Sequence, residues 1–124
     1  MDTIKLSIVT PNGEIFSGNV KSVTLPGKEG EFGVMPRHSS LVSALTVGVI
    51  EIEKKDASKD LVAINWGHVK VSEEMVDVLV DGAVSLASGS DISEKIEEAK
   101  NLVNSVNDSN VSMAAVTAKI NSFA

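Results

Sequence analysis

Two histidines and one close pair of carboxylates are the residues of this chain whose types could do chemistry. His38 follows Pro36-Arg37 in a loop, and His68 follows Trp66-Gly67 in a turn between two strand-like runs. An imidazole works as a general base only when a partner orients it. The sequence places no such partner at a fixed spacing, so hydrogen-bonding or interface roles are expected for both. Glu29 and Glu31 sit two apart, as a glycosidase pair or a metal site would, yet no neighbouring His or Asp completes a ligand set. Glu73-Glu74 and Glu97-Glu98 read as turn and helix-face charges. There is no Walker lysine loop, no dinucleotide fingerprint and no serine in a nucleophile elbow. The absence of cysteine removes disulfides, thiolate zinc sites and cysteine nucleophiles together. A non-catalytic, partner-binding chain is the expectation.

Bulk properties narrow the partner. The formal net charge of −6 argues against nucleic acid, whose phosphates need a basic face, and against adhesion to anionic lipid. No window approaches the roughly 18 consecutive apolar residues of a membrane span. The start, Met1-Asp2-Thr3-Ile4-Lys5, lacks a basic region followed by an apolar stretch, so no export signal is expected. An intracellular protein, soluble or peripherally attached, fits these features. The apolar fraction is 43%, but aromatics are limited to three Phe and one Trp. The core must therefore be Val, Ile, Leu and Ala, and the β-branched members favour strands.

The elements that must position these residues follow from periodicity. Ile4, Leu6 and Ile8 alternate with Lys5 and Ser7, the period-2 pattern of a half-buried strand. Pro11-Asn12-Gly13 turns the chain, Ile15-Phe16 follows, and Ser17-Gly18 reads as a second break. Residues 20–25 form a short strand that stops at Pro26-Gly27. Residues 28–36 read as an exposed, tightly shaped loop, in which glycines flank an acid–aromatic pair, feeding a short strand. Strands are then expected at 41–45, 49–53, 61–66, 69–71, 75–80 and 83–87, with residues 54–60 as a hairpin tip and Gly67-His68 as a separator. About eight to ten short strands with frequent turns is the pattern of an antiparallel sandwich or barrel.

After Ser88-Gly89-Ser90 the period changes. Asp91 and Glu94 make a capping box, and Ile92, Ile96, Ala99, Val103 and Val106 lie on one helical stripe. The polar residues 107–110 interrupt it, and Met113, Val116, Ile120 and Phe123 make a second stripe. The expected fold is mainly β with an α appendage. An N-terminal antiparallel β-sandwich spans residues 1–87, and a C-terminal antiparallel two-helix hairpin spans residues 88–124. Helices this short are marginal alone and must pack on something.

Phe16-Ser17-Gly18, then Gly30-Glu31-Phe32-Gly33-Val34-Met35-Pro36-Arg37-His38-Ser39-Ser40-Leu41, then Gly48-Val49-Ile50 resemble the ε subunit family of bacterial F-type ATP synthase. The family's central stretch is a Gly-Glu-(aromatic or Leu)-Gly-apolar-apolar-Pro-Gly-His pattern. The match continues through Gly67 and residues 78–83; the helical tail matches in placement but poorly in sequence. The resemblance implies a rotor subunit without catalytic residues, joining the foot of the γ subunit to the ring of c subunits on the cytoplasmic face of the inner membrane. Proton-driven rotation is thereby coupled to ATP synthesis on the α and β subunits. It implies further that Glu31 faces the polar loops of the c ring and that His38 is the family histidine at the same end. Glu29 and Phe32 complete the candidate contacts with the c ring or γ.

Three departures bear on what is carried over. Arg37 stands where the family has Gly, so that turn is expected to need a different backbone. The ATP-sensing motif of some members, an apolar residue followed by Asp-x-x-Arg-Ala, reads here from Ile92 to Glu97. Ser93 replaces its acid and Ile96 its arginine, while Lys95 is displaced by one position, roughly 100° around a helix. No cofactor, and no tight ATP binding, is expected. The last helix carries only Lys119, so contact of the hairpin with α and β should inhibit ATP hydrolysis weakly at most. The competing readings are a regulatory nucleotide sensor in the same complex, a free-standing sandwich that binds a small ligand, and an enzyme. A ligand module would display planar aromatics on one face, and the aromatics here are few and widely spaced.

Overall fold

The computed structural model describes residues 3–37, 39–86, 92–104 and 120, with side chains of the helix described for 96–102. Its first strand, β1 (Ile4–Thr10), buries Ile4, Leu6 and Ile8 almost completely, as the alternation requires. A two-residue turn leads into β2 (Gly13–Val20), where the Thr10 hydroxyl donates to the Gly13 carbonyl and accepts the Asn12 N–H, both at 3.1 Å. Ser17-Gly18 does not break this strand. Both residues pair with β1, Ser17 with Ser7 and Gly18 with Leu6, so a cross-strand ladder outweighs a local turn preference. The register slips between Ile8 and Val9, leaving Ile15 as an extra residue. Such a bulge re-aims side chains, and it accounts for the adjacent Ile15 and Phe16 both packing against the core.

Eight further strands follow: β3 (Ser22–Gly27), β4 (Gly30–Val34), β5 (Leu41–Leu45), β6 (Gly48–Glu53), β7 (Lys59–Ile64), β8 (Gly67–Val71), β9 (Met75–Val80) and β10 (Ala83–Leu86). All ten belong to one sheet in the order β10-β7-β6-β3-β5-β8-β9-β1-β2, with β4 on β3. The two ends of that order, β10 and β2, come into contact, so the sheet wraps into a flattened sandwich. The expected antiparallel arrangement holds for every pair but one. β1 and β9 run parallel, Leu6 opposite Val76 and Ile8 opposite Val78. Strands joined by hairpins are antiparallel of necessity, whereas β1 and β9 are distant in sequence and pair by closure alone. Gly67-His68, read as a separator, opens β8 and pairs with Val80 and Leu79.

The core lies inside this wrap and is aliphatic, with Ile4, Leu6, Ile8, Leu25, Ile50, Ile52 and Ile64 fully buried. A second cluster sits outside it. Val49, Leu61, Ala63 and Leu86 face away from the core and are covered by Ile96 and Ala99 of α1 (Ile92–Asn104). Hence β6 and β7 are buried on both faces, which is why their sequences read as near-continuous apolar runs. Ile120, which has helical backbone, is fully buried in the same cluster. The Asp91 cap and the rest of the second stripe lie outside the described residues, as does Ala87.

Among the described residues, two that are not glycine take left-handed backbone. Arg37 has φ 65° and Ala57 φ 69°. Arg37 therefore adopts a conformation open to glycine rather than a different turn, and its N–H bonds the Glu73 carbonyl at 3.0 Å. Ala57 closes the β6–β7 hairpin, its N–H donating to Lys54 at 3.0 Å while Lys54 N–H donates to Ser58 at 2.8 Å. Beside it the Asp56 carboxylate accepts the Ser58 hydroxyl and N–H, which hold its pKa below the usual aspartate value. A left-handed non-glycine residue costs about 1–2 kcal/mol, partly offset for glycine by its freer unfolded chain. Ala57→Gly is therefore expected to stabilise the protein by about 0.5–1 kcal/mol. Equilibrium urea unfolding checks this, and a destabilised variant would show that the tip is not strained.

Candidate functional site

The β3–β4 hairpin is where sequence places its acidic candidates. Gly27 pairs with Gly30, leaving Lys28-Glu29 as a two-residue tip. Gly30 has φ 132°, outside the range of L side chains, and a Cβ on Gly27 would sit 2.6 Å from the Gly30 carbonyl oxygen and 2.8 Å from the Phe32 ring. Both glycines are thus required by the turn. Beyond the tip, side chains alternate. Glu31, opposite Pro26, points outward and is exposed; Phe32, opposite Leu25, is half-buried against the core; Val34 is fully buried. Glu29 and Glu31 are therefore presented to solvent, while Phe32 braces the hairpin from within. His38 lies outside the described residues. Its neighbour Arg37 sits at the other end of the sandwich from the tip, because β4 runs from Gly30 beside Gly27 to Val34 beside Val23.

A second surface brings His68 together with residues that the sequence does not single out. Strand registers align Ala44 of β5, His68 of β8, Leu79 of β9 and Val9 of β1 in one row across the outer face. Val42, Lys70, Asp77 and Ser7 form the next row. Exposure marks the apolar members: Leu79 is 61% exposed, Val42 74%, and Trp66, at the β7–β8 turn, 52%. Trp66, Leu79, Val9, Pro11, His68 and Asp81 line an open groove of about 380 Å³ at one edge of this face. The groove and the Glu29 tip share one end of the sandwich, since Gly30, Gly27, Leu45, Gly67 and Val80 pair in a continuous row.

The signal for this face was present in the chain. Leu79 and Val42 occupy outward positions of alternating strands, where period 2 calls for a polar residue. His68 was expected in a turn, but it stands in β8 between Ala44 and Leu79, exposed. Exposed Val42, Leu79 and Trp66 on one face of the sheet have the chemistry of a protein-docking surface. Among the described residues no group of three His, Asp or Glu is placed to hold a metal, and no helix is long and apolar enough to cross a membrane.

Residues 3–86 match the family model described as ATP synthase, Delta/Epsilon chain, beta-sandwich domain. The chain belongs to that family. Relatives along its length carry the name ATP synthase epsilon chain. That of Aliarcobacter butzleri is 74% identical, with all of both chains covered. That of a Nitratiruptor species is 57% identical over 97% of this chain and 95% of its own. That of Campylobacter fetus is 54% identical, covering 100% and 98%. Among solved structures, a chain in the Euglena gracilis mitochondrial ATP synthase, described as OSCP, F1 and c-ring, superposes with a TM-score of 0.65 at 26% identity, covering 96% of this chain and 73% of that one. A chain in the Tetrahymena thermophila central stalk and c-ring shares the fold at 12% identity and a TM-score of 0.57, covering 84% and 96%. The epsilon membership implied by the Gly30–Leu41 motif is therefore established, and a free-standing ligand module is not favoured.

Proposed function

We propose that this chain is a non-catalytic rotor subunit of a proton-translocating ATP synthase, fixed between the γ subunit and the c ring. The observation that carries the reading is the set of large apolar side chains on the outer face of β5, β8, β9 and β1 and its edge, Val42, Leu79 and Trp66, all more than half exposed. Large apolar groups on a rigid sheet gain most when a partner removes them from water. The γ subunit is the partner assigned to this face. The exposed Glu29 and Glu31 at the hairpin tip are assigned to the polar loops of the c ring, where charge complementarity sets register more than affinity. Phe32 completes the proposed contact set through its support of the tip. His38, whose neighbour Arg37 lies at the opposite end from Glu31 and not at the end expected from sequence, is proposed as a contact with γ rather than with the c ring.

The division proposed is a coupling domain at 1–87 and a helical hairpin at 88–124. Ile96, Ala99 and Ile120, together in the outer cluster, support a hairpin folded against the sandwich. The degenerate Ser93 and Ile96 positions and the single Lys119 support weak regulation at most, without bound ATP. The subunit is placed at the cytoplasmic face of the inner membrane, peripheral to it through the complex.

The test is association with γ from the same cell at moderate and high salt. Apolar contacts survive salt while exposed charge pairs are screened. Tight binding retained at high salt is the expected result, and no association at any salt would remove the rotor reading and leave the family fold alone.

A further inference from the structure

The turns β7–β8 and β9–β10 are stitched together by one side chain. The Asn65 Oδ1 accepts the N–H groups of Trp66 and Gly82, each at 2.8 Å, and its Nδ2 donates to the Asp81 carboxylate at 3.0 Å. Backbone bonds reinforce the join, Asn65 N–H to the Gly82 carbonyl at 3.3 Å and Asp81 N–H to the Trp66 carbonyl at 3.1 Å. This corner has two sides. On one, Trp66 and Asp81 line the groove beside Leu79. On the other, Gly82 lies against α1: a Cβ placed there would be 3.2 Å from Leu102 Cδ1 and 3.2 Å from Asn65 Nδ2. From Gly82 the chain enters β10, the strand on which α1 makes its main contact.

We propose that the Asn65 corner couples occupation of the Trp66 groove to the seating of α1 on the sandwich. The inference rests on the reading that a partner, γ, docks on that groove. Physically, the same set of five hydrogen bonds fixes the backbone of Trp66, from which its ring reaches the groove, and the backbone of Gly82, against which Leu102 lies. Whichever binds first orders the corner, and the second then meets it already ordered, so each strengthens the other by one and the same factor. The corner thus gives the rotor contact a route to the helical segment without passing through the buried core. Asn65 is a positioning residue, and Gly82 supplies the clearance that lets Leu102 approach.

Amide hydrogen exchange on the full chain, with Trp66 fluorescence as a native reporter because it is the sole tryptophan, tests this in two arms. In the chain alone, Asn65→Ala is expected to speed exchange across residues 96–102 at least tenfold and to shift Trp66 emission, with protection in β1 and β9 unchanged. Unchanged α1 exchange would overturn the corner's role. If Asn65→Ala fails to fold, Gly82→Ala carries the same arm through crowding of Leu102. In the second arm γ is added at saturation. Exchange in α1 should slow several-fold in the wild type and not in Asn65→Ala. The same change in both proteins, or acceleration in the wild type, would overturn the coupling. Failure of γ to bind the wild type would instead remove the docking reading, and the first arm would still decide whether the corner holds the helix.

Discussion

Gly67→Ala is expected to lower the thermal midpoint by about 10–15 °C, the largest stability loss foreseen for a single added methyl group. Gly67 is buried in a row of paired residues, with Leu45 on one side and Val80 on the other. A Cβ there would overlap the Leu79 carbonyl oxygen and lie 2.8 Å from both Val80 Cα and Val80 Cγ1. Two of these three atoms are backbone of the adjacent strand, so they cannot swing aside as the end of a long side chain would. Relief requires β8 and β9 to separate where the ladder is anchored, at a cost of about 3 kcal/mol or more. Gly18→Ala is the control, because a Cβ at Gly18 meets nothing closer than the Phe16 ring at 3.9 Å. Differential scanning calorimetry of both variants checks the argument. A Gly67→Ala midpoint within about 2 °C of wild type would mean that the ladder relaxes freely, against interiors packed as tightly as crystals.

The second large effect concerns binding and leaves the fold intact. Leu79→Glu should weaken association with γ by roughly 30-fold or more, about 2 kcal/mol or beyond, because a carboxylate would be carried into an apolar contact without a partner. Leu79 is 61% exposed in the free chain and is not part of the buried core cluster. The thermal midpoint is therefore expected to stay within a few degrees of wild type. Trp66→Ala should act in the same direction through lost contact area. A matched change outside the apolar row, Lys70→Gln, should alter affinity little and mainly change its salt dependence. Titration calorimetry with γ reads all three. Wild-type affinity in Leu79→Glu would move the interface off this face without touching the family assignment.

The reach of sequence reasoning was uneven for identifiable reasons. Strands 41–45 and 75–80 match the sequence expectation to the residue, because short aliphatic, β-branched runs bounded by polar or turn-prone residues leave the backbone little choice. Ile96 and Ala99, assigned to one helical stripe, are buried together. The strand ends went astray at Ser17-Gly18, Pro26-Gly27 and Gly67-His68, where small or turn-prone residues continue strands. Each is held by a ladder partner on another strand, such as Leu6 for Gly18, Leu45 for Gly27 and Val80 for Gly67, and local propensity does not contain that partner. The acidic tip was legible because Gly27, Gly30 and Glu31 are close together; the outer face was not, because its row draws single residues from four separate strands.

Composition and motif by themselves determined that this chain is an aliphatic β protein with a helical tail and of the epsilon family. These follow from local chemistry: alternation, turn residues and one contiguous stretch from Gly30 to Leu41. Only the tertiary structure decided that β1 and β9 pair in parallel and that Arg37 and Ala57 take glycine-like backbone. It alone decided that Val42, Trp66 and Leu79 share a surface, and that Asn65 ties that surface to α1. Period 2 says that successive side chains point to opposite faces. Which face meets water, and which strands lie side by side, is set by closure of the whole sheet, a non-local event that no window of sequence encodes.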